Sequence, residues 1–285
     1  MLNKNKIGII GAGTMGNGIA HVFSLCGYET MLIDINKVVL EQALNNIKSN
    51  MQRQIKKNII NESEMSIAIS KIKTSTNMNN LKNCFIVIEA IKEDVTIKGS
   101  LFKELDTLCH EETILASNTS SISIDTLSKN TERRDKVIGM HFMNPVPMMK
   151  LVEIVKGTIT SKETLETIIA VSKLIKKIPI TCNDSPGFVS NRILMPMINE
   201  AAHCYYEKVA DANSIDQIMK LGLGHPLGPL KLADLIGIDV CVFIMNILYE
   251  DFNNEKYKPC LIFDQMLKEN KLGKKNGEGF YKYEF

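Results

Sequence analysis

The sequence predicts an α/β protein, a doubly wound and largely parallel sheet followed by an all-α C-terminal domain. Three observations carry that reading. A β-branched run from Ile7 to Ile10 stops at Gly11 and gives way to helical apolar spacing from Thr14 to Cys26. Short apolar runs then alternate with longer amphipathic stretches, the pattern of successive βα units. After Asp184-Ser185-Pro186-Gly187 the strand pattern ends and only helical spacing continues. The expected division is residues 1–183 for the sheet domain and 184–285 for the helical one.

Each element follows in order. Met31 to Ile35 reads as a second strand carrying Asp34 at its end, and a long polar helix runs from Lys37 to Lys57, with more helix before Lys71. Strands are expected at Phe85 to Ile91, Thr113 to Ser117, Val137 to His141, Leu151 to Val155 and Ile178 to Cys182, with helices at Ile97 to Leu108 and Lys162 to Lys176 among them. The helical domain offers Phe188 to Tyr206, Ile215 to Leu221, Gly228 to Leu248 and Leu261 to Asn270. There is no internal repeat and no low-complexity linker.

Composition narrows the class. A chain of 285 residues exceeds one compact core, so two domains are expected. Hydrophobic residues at 45% and charged residues at 23% are those of a globular protein. A formal charge of +2 lacks the clustered cations of a nucleic-acid binder. No apolar run approaches the roughly 18 residues needed to span a bilayer, so no membrane partner is expected. The polar start, Met1 to Lys6, leaves no room for a secretory or transit segment, which points to the cytoplasm. Seven scattered cysteines without a CxxC pair read as buried reduced thiols, and no metal site is expected.

The glycine turn is the first functional signal. Gly11-Ala12-Gly13-Thr14-Met15-Gly16 fits GxGxxG between a strand and a helix: the first glycine turns the chain, the second admits a pyrophosphate, and the third lets helix pack on strand. The helix N-terminus then faces the anion. Asp34 stands where the fingerprint places an acid for a ribose 2′-hydroxyl, and a carboxylate there repels a 2′-phosphate. NAD is therefore the expected cofactor, and residues 1–183 are expected to be its Rossmann-like domain.

Further motifs occur in order: GAGTMGNGIA (Gly11 to Ala20), SNTSS (Ser117 to Ser121), HFMNP (His141 to Pro145), PGFVSNR (Pro186 to Arg192), GHPLGPLKLAD (Gly224 to Asp234) and GKKNGEGFYKY (Gly273 to Tyr283). Together they resemble the 3-hydroxyacyl-CoA dehydrogenases over essentially the whole chain. Met143 departs from the family's usual phenylalanine, an apolar exchange that packing tolerates.

Oxidising a 3-hydroxyl requires a base for its proton while the carbon passes hydride to nicotinamide, and histidine suits neutral pH. Among five histidines His141 is the candidate, at the end of a strand where open α/β sheets bind ligands; His21 lies on the first helix. Glu153, on the next strand-like segment, is placed to orient the imidazole and stabilise its cation. The resemblance implies such a pair at these two positions. It also implies that Ser120 and Asn191 hold the substrate oxygens and that Glu93, Lys98, Asn144 and Lys275 approach the cofactor. For coenzyme A it points to a lysine and a serine on the long helix. The lysine falls at Lys57 beside Lys48, Arg53 and Lys56, and the serine position holds Asn50.

Plain structural readings remain open: a surface Glu153, Ser120 as a helix cap, Asn191 as a helix-surface amide, Lys98 and Lys275 as solvated lysines. Two other functions stay open as well, a sugar-acid dehydrogenase of the gulonate type and a non-enzymatic NAD-binding protein. The expected activity is reversible oxidation of an (S)-3-hydroxyacyl-CoA, such as 3-hydroxybutyryl-CoA, to the 3-oxoacyl-CoA. The motifs do not encode its direction in the cell, whether fatty-acid breakdown or butyrate-type synthesis. The small helical domain, which also carries Asn191, is expected to bind substrate and to pair in a homodimer.

Overall fold

The computed structural model describes residues 2–284. Contacts divide the chain into two units between Asp184 and Ser185. The first unit is a sheet with helices and the second is helical, so the predicted fold class holds.

In the first unit β1 (Asn3–Ile10) leads through the glycine turn into α1 (Thr14–Leu25), β2 (Glu29–Ile33), α2 (Lys37–Lys56), α3 (Glu62–Lys71) and β3 (Ile72–Ser75). There follow β4 (Cys84–Glu89), α4 (Val95–Leu108), β5 (Ile114–Ser117), α5 (Ile124–Ser128), β6 (Val137–Phe142), β7 (Leu151–Lys156), α6 (Lys162–Leu174) and β8 (Ile178–Asn183). The eight strands lie in the order β3-β2-β1-β4-β5-β6-β7-β8. Strand order reverses at β1, whose neighbours are β2 and β4, so the carboxyl ends of β1 and β4 flank a crevice suited to a ligand. The central strands read as near-continuous apolar runs because both faces are covered: Ile7, Ile9, Ile86, Ile88 and Ile138 are fully buried.

One detail departs from the sequence reading and a second refines it. The stretch after Lys71 forms β3, a four-residue edge strand too short and too polar (Ile72-Lys73-Thr74-Ser75) to give an alternation signal. The sheet is also not wholly parallel, because β6 and β7 pair antiparallel, with His141 directly opposite Glu153 in the register. Short connections permit that reversal, whereas parallel neighbours need a crossover.

The second unit contains α7 (Ser190–Tyr206), α8 (Ala212–Leu223), α9 (Pro229–Ile236), α10 (Ile238–Phe252) and α11 (Leu261–Lys268). Its core gathers Met195, Ile198, Leu230, Cys241, Met245, Leu248 and Phe263. The single helix expected from Gly228 to Leu248 is two helices bent by 99° at Gly237. Apolar spacing runs straight through the break, but Gly237 takes φ 108°, which no helix interior accommodates. No single helix among the described residues is long and apolar enough to cross a membrane.

Two of the three family-like motifs of this unit are tied to each other. Asp234, at the end of GHPLGPLKLAD, accepts hydrogen bonds from the backbone N–H groups of Phe280 and Tyr281 and from the Tyr283 hydroxyl. Asp216 receives Leu230 N, Lys231 N and the Tyr281 hydroxyl. The C-terminal GKKNGEGFYKY segment is thereby stapled onto α8 and α9. All seven cysteines are free thiols, and Cys26, Cys182 and Cys204 are half-buried rather than buried as expected.

Candidate active site

The glycine turn shows a cradle for an anion. Gly11 takes φ +94° where a Cβ would strike the Ala90 carbonyl, and a Cβ on Gly16 would lie 1.7 Å from the Gly11 carbonyl oxygen. A Cβ on Gly13 would meet nothing within 4 Å, so the space before the helix is open. Gly13 is also the N-cap of α1 and supplies no side chain to its first N–H groups. Helices α2 to α6, in contrast, are capped by Asn36, Asn61, Asp94, Ser123 and Ser161. The uncapped donors of α1 and the positive end of its dipole suit a pyrophosphate. The residues present therefore fit a dinucleotide.

Asp34 follows β2 and braces the turn. Its Oδ2 accepts from Ala12 N at 2.8 Å and its Oδ1 from Asn36 N at 3.0 Å. Each oxygen retains further acceptor capacity. Asp34 does not cap α2, a role taken by Asn36.

His141 ends in a strand with its Nδ1 2.7 Å from Glu153 Oε2, and both side chains are buried. A carboxylate can only accept, so Nδ1–H donates and the Nε2 lone pair is the basic one. The reading of Glu153 as a surface glutamate is thus set aside by its position on β7. Asn144, just beyond, is exposed and precedes a cis peptide bond to Pro145.

A second buried cluster lies at the carboxyl ends of β4 and β5. Lys98, only 1% exposed, pairs with Glu89 Oε1 at 2.9 Å and with Glu93 Oε2 at 2.7 Å. This corrects the picture of a helix-face lysine: the ammonium is enclosed between two carboxylates. Glu93 Oε1 in turn accepts from Thr119 Oγ1 (2.5 Å), Ser120 N (3.0 Å), Ser121 N (3.1 Å) and Ser121 Oγ (2.9 Å). Burial alone would raise the Glu93 carboxyl, but Lys98 and these donors outweigh it and hold it below the usual carboxylate range. Burial wins at Glu89, whose carboxyl is pushed up despite Lys98, Ser117 and the Ile91 N–H.

Ser120 itself precedes α5, which Ser123 caps, so the cap reading of Ser120 fails. Sequence reasoning missed Glu89, Ser117 and Thr119. The available signal was an acid inside the apolar run Phe85 to Ile91, where a charge must find a partner. Asn118 was missed too; its Oδ1 accepts from Phe142 N at 2.9 Å, joining the SNTSS turn to the residue after His141.

In the second unit Asn191 is buried near the start of α7, not a helix-surface amide. Lys275 contacts both oxygens of Asp239, at 2.6 Å to Oδ2. Lys57 caps the C-terminal end of α2 and is exposed, as are Lys48, Arg53 and Lys56 on that helix.

Comparison with known proteins identifies the family. Residues 6–185 match the family described as 3-hydroxyacyl-CoA dehydrogenase, NAD binding domain, and residues 187–283 match the 3-hydroxyacyl-CoA dehydrogenase C-terminal domain. A 3-hydroxybutyryl-CoA dehydrogenase of Clostridioides difficile is 46% identical over 98% of this chain and 99% of its own length. The mitochondrial hydroxyacyl-coenzyme A dehydrogenase of Sus scrofa is 41% identical over 96% of this chain and 90% of its own. The crystal structure of an (S)-3-hydroxybutyryl-CoA dehydrogenase from Ralstonia eutropha superimposes with a TM-score of 0.96 at 44% identity, covering 99% of this chain and all of that one (100%). With both domains matched in order and relatives aligned end to end, the chain belongs to the 3-hydroxyacyl-CoA dehydrogenase family.

Proposed function

We propose that the protein interconverts (S)-3-hydroxybutyryl-CoA, or a related short 3-hydroxyacyl-CoA, and its 3-oxoacyl-CoA, with His141 as the acid/base. The single observation that carries this is the 2.7 Å hydrogen bond between His141 Nδ1 and Glu153 at the end of β6. Glu153 fixes the tautomer, so Nε2 takes the hydroxyl proton during oxidation and returns it during reduction, and the imidazolium formed lies against a carboxylate. NAD supplies the two-electron acceptor at C3 when bound. Gly11, Gly13, Thr14, Met15 and Gly16 hold its pyrophosphate at α1, and Asp34 accepts from its ribose; Glu93, Lys98, Asn144 and Lys275 complete its surroundings. Ser120 and Asn191 hold the substrate oxygens, which contributes to rate through orientation. Lys57 meets the coenzyme A phosphates, and residues 1–183 and 184–285 divide the work into cofactor domain and substrate and dimerisation domain.

The same reading makes the protein a cytoplasmic homodimer through its helical unit. Ile218, Leu221 and Leu223 on α8 are exposed, Leu221 at 82%, an apolar face that a second copy would cover. A monomeric mass in sedimentation at micromolar concentration contradicts it.

The test is NADH oxidation with acetoacetyl-CoA, run beside NADPH, a free 3-oxo acid and a sugar acid. Turnover restricted to NADH and the CoA ester is the expected result. Activity only on free acids favours a sugar-acid dehydrogenase, and tight NADH binding without turnover favours a non-catalytic binder.

A further inference from the structure

The SNTSS turn is enclosed in a ring of hydrogen bonds that begins and ends at the same buried carboxylate. Glu89 and Ser117 are register partners at the ends of β4 and β5, so both side chains rise from the same place on the sheet. Ser117 Oγ donates to Glu89 Oε2 at 2.6 Å and accepts from Thr119 N at 3.1 Å. On the other side Glu89 Oε1 meets Lys98, and Lys98 meets Glu93 Oε2. Glu93 Oε1 closes the ring by taking the donors of Thr119, Ser120 and Ser121. Glu89, Ser117 and Thr119 are at most 1% exposed, and Glu89 is wholly enclosed.

The division of labour within Glu93 is the telling feature. One oxygen serves the turn and the other serves Lys98, so the lysine sets the rotation of the carboxylate that holds the Ser120 backbone. Lys98 is itself held from behind by Glu89. We infer that Glu89 is a positioning residue for the reaction, acting through Lys98 and Glu93 on one side and through Ser117 on the other to fix the orientation of Ser120. Being wholly enclosed, it would act through these neighbours rather than by contact with substrate or cofactor. The inference rests on the substrate role of Ser120 proposed above.

Such a strut is worth a buried charge cluster because the turn has no regular structure to hold it: it lies between the end of β5 and the start of α5. A backbone N–H accepted by a carboxylate whose rotation is fixed is placed more tightly than one accepted by water, and positional error at an orienting hydroxyl carries directly into the rate. The cluster also bears two carboxylates against one ammonium. Glu89→Gln leaves a one-to-one pair of Lys98 with Glu93, so the variant retains a balanced interior while losing half the restraint on Lys98.

The test is a double-mutant cycle between Glu89→Gln and Ser120→Ala, read as turnover of NADH with acetoacetyl-CoA, with folding followed by circular dichroism. Glu89→Gln is expected to lower kcat about tenfold or more while KM for NADH stays within about threefold. In the Ser120→Ala background the same substitution is expected to add less than about twofold, because its effect passes through the hydroxyl already removed. Losses that multiply in the double variant, or wild-type kcat in Glu89→Gln, overturn the inference while leaving the role of Ser120 intact. Wild-type turnover in Ser120→Ala overturns the role of Ser120 and the inference with it. Should Glu89→Gln fail to fold, Ser117→Ala, which cuts the link from Glu89 to Thr119 N, enters the same cycle under the same criteria.

Discussion

Two histidines in the first unit are buried, and they have opposite chemistry. His141 stands at the end of β6 with a carboxylate 2.7 Å from Nδ1. His21 stands inside α1, fully enclosed, with Nε2 3.1 Å from the neutral Gln54 side chain and no partner for Nδ1. Burial, outweighing the Gln54 hydrogen bond and reinforced by Lys177, pushes His21 down to about 4. Enclosure alone therefore makes a histidine silent at neutral pH, whereas enclosure with a carboxylate in register gives it an oriented proton site. The partner, not the burial, separates a packing residue from the one proposed as the acid/base.

The largest effect expected from that difference is in turnover. His141→Ala is expected to lower kcat with acetoacetyl-CoA by about 10²–10⁴-fold while the thermal midpoint changes little, and His21→Gln is expected to leave kcat near wild type. Comparable losses in the two variants would erase the distinction.

The next effect belongs to His21 and appears in stability. Its folded pKa of about 4 lies below the ordinary imidazole value of 6.5, so the unfolded chain takes the proton more readily. The contribution is therefore complete above about pH 6.5 and is lost as pH falls toward 4, up to about 3 kcal/mol. Urea denaturation at a series of pH values should show that slope in the wild type and a shallower one in His21→Gln. Equal slopes would mean that His21 is not held neutral.

How much of this could be read from the sequence depends on how local the cause is. The glycine turn is local: a β-branched run, three glycines at fixed spacing and an apolar helix announce themselves, and a Cβ on Gly11 or Gly16 would strike backbone while the space at Gly13 is open. His141 was legible as a histidine near a strand end and Glu153 as an acid on the next strand-like segment, but their pairing needs the antiparallel reversal of β7, which no periodicity reports. The buried setting of Lys98 was hidden because a lysine at helical spacing normally faces water, and its two acids come from β4 and from the segment before α4. The break at Gly237 was hidden by apolar spacing that continues on both sides of it. Long-range partners, rather than missing motifs, account for what the sequence did not show.

Glu153→Gln sharpens the comparison by giving His141 a neutral partner like that of His21. The volume is kept, but the imidazolium loses its counter-charge and the amide can donate where the carboxylate could only accept. Turnover is expected to fall about 10–100-fold with the fold intact, less than for His141→Ala because the imidazole remains. A loss as large as that of His141→Ala would mean that the carboxylate does more than orient and stabilise.

The smallest effect comes from the opposite change at the silent histidine. Gln54→Met removes the hydrogen-bond partner of the His21 ring and leaves both ring nitrogens enclosed without one, in a side chain of similar length. A buried polar group left unsatisfied costs about 1–2 kcal/mol, so the urea midpoint should drop at neutral pH. Gln54 lies on α2, away from the His141 register, and kcat should therefore be unchanged within about twofold. The hydrogen bond to Gln54 also favours the protonated ring, so its removal should move the acid loss of stability to still lower pH. A shift the other way would show that Gln54 donates to Nε2 rather than accepting from it, and that the proton of the neutral ring sits on the enclosed Nδ1.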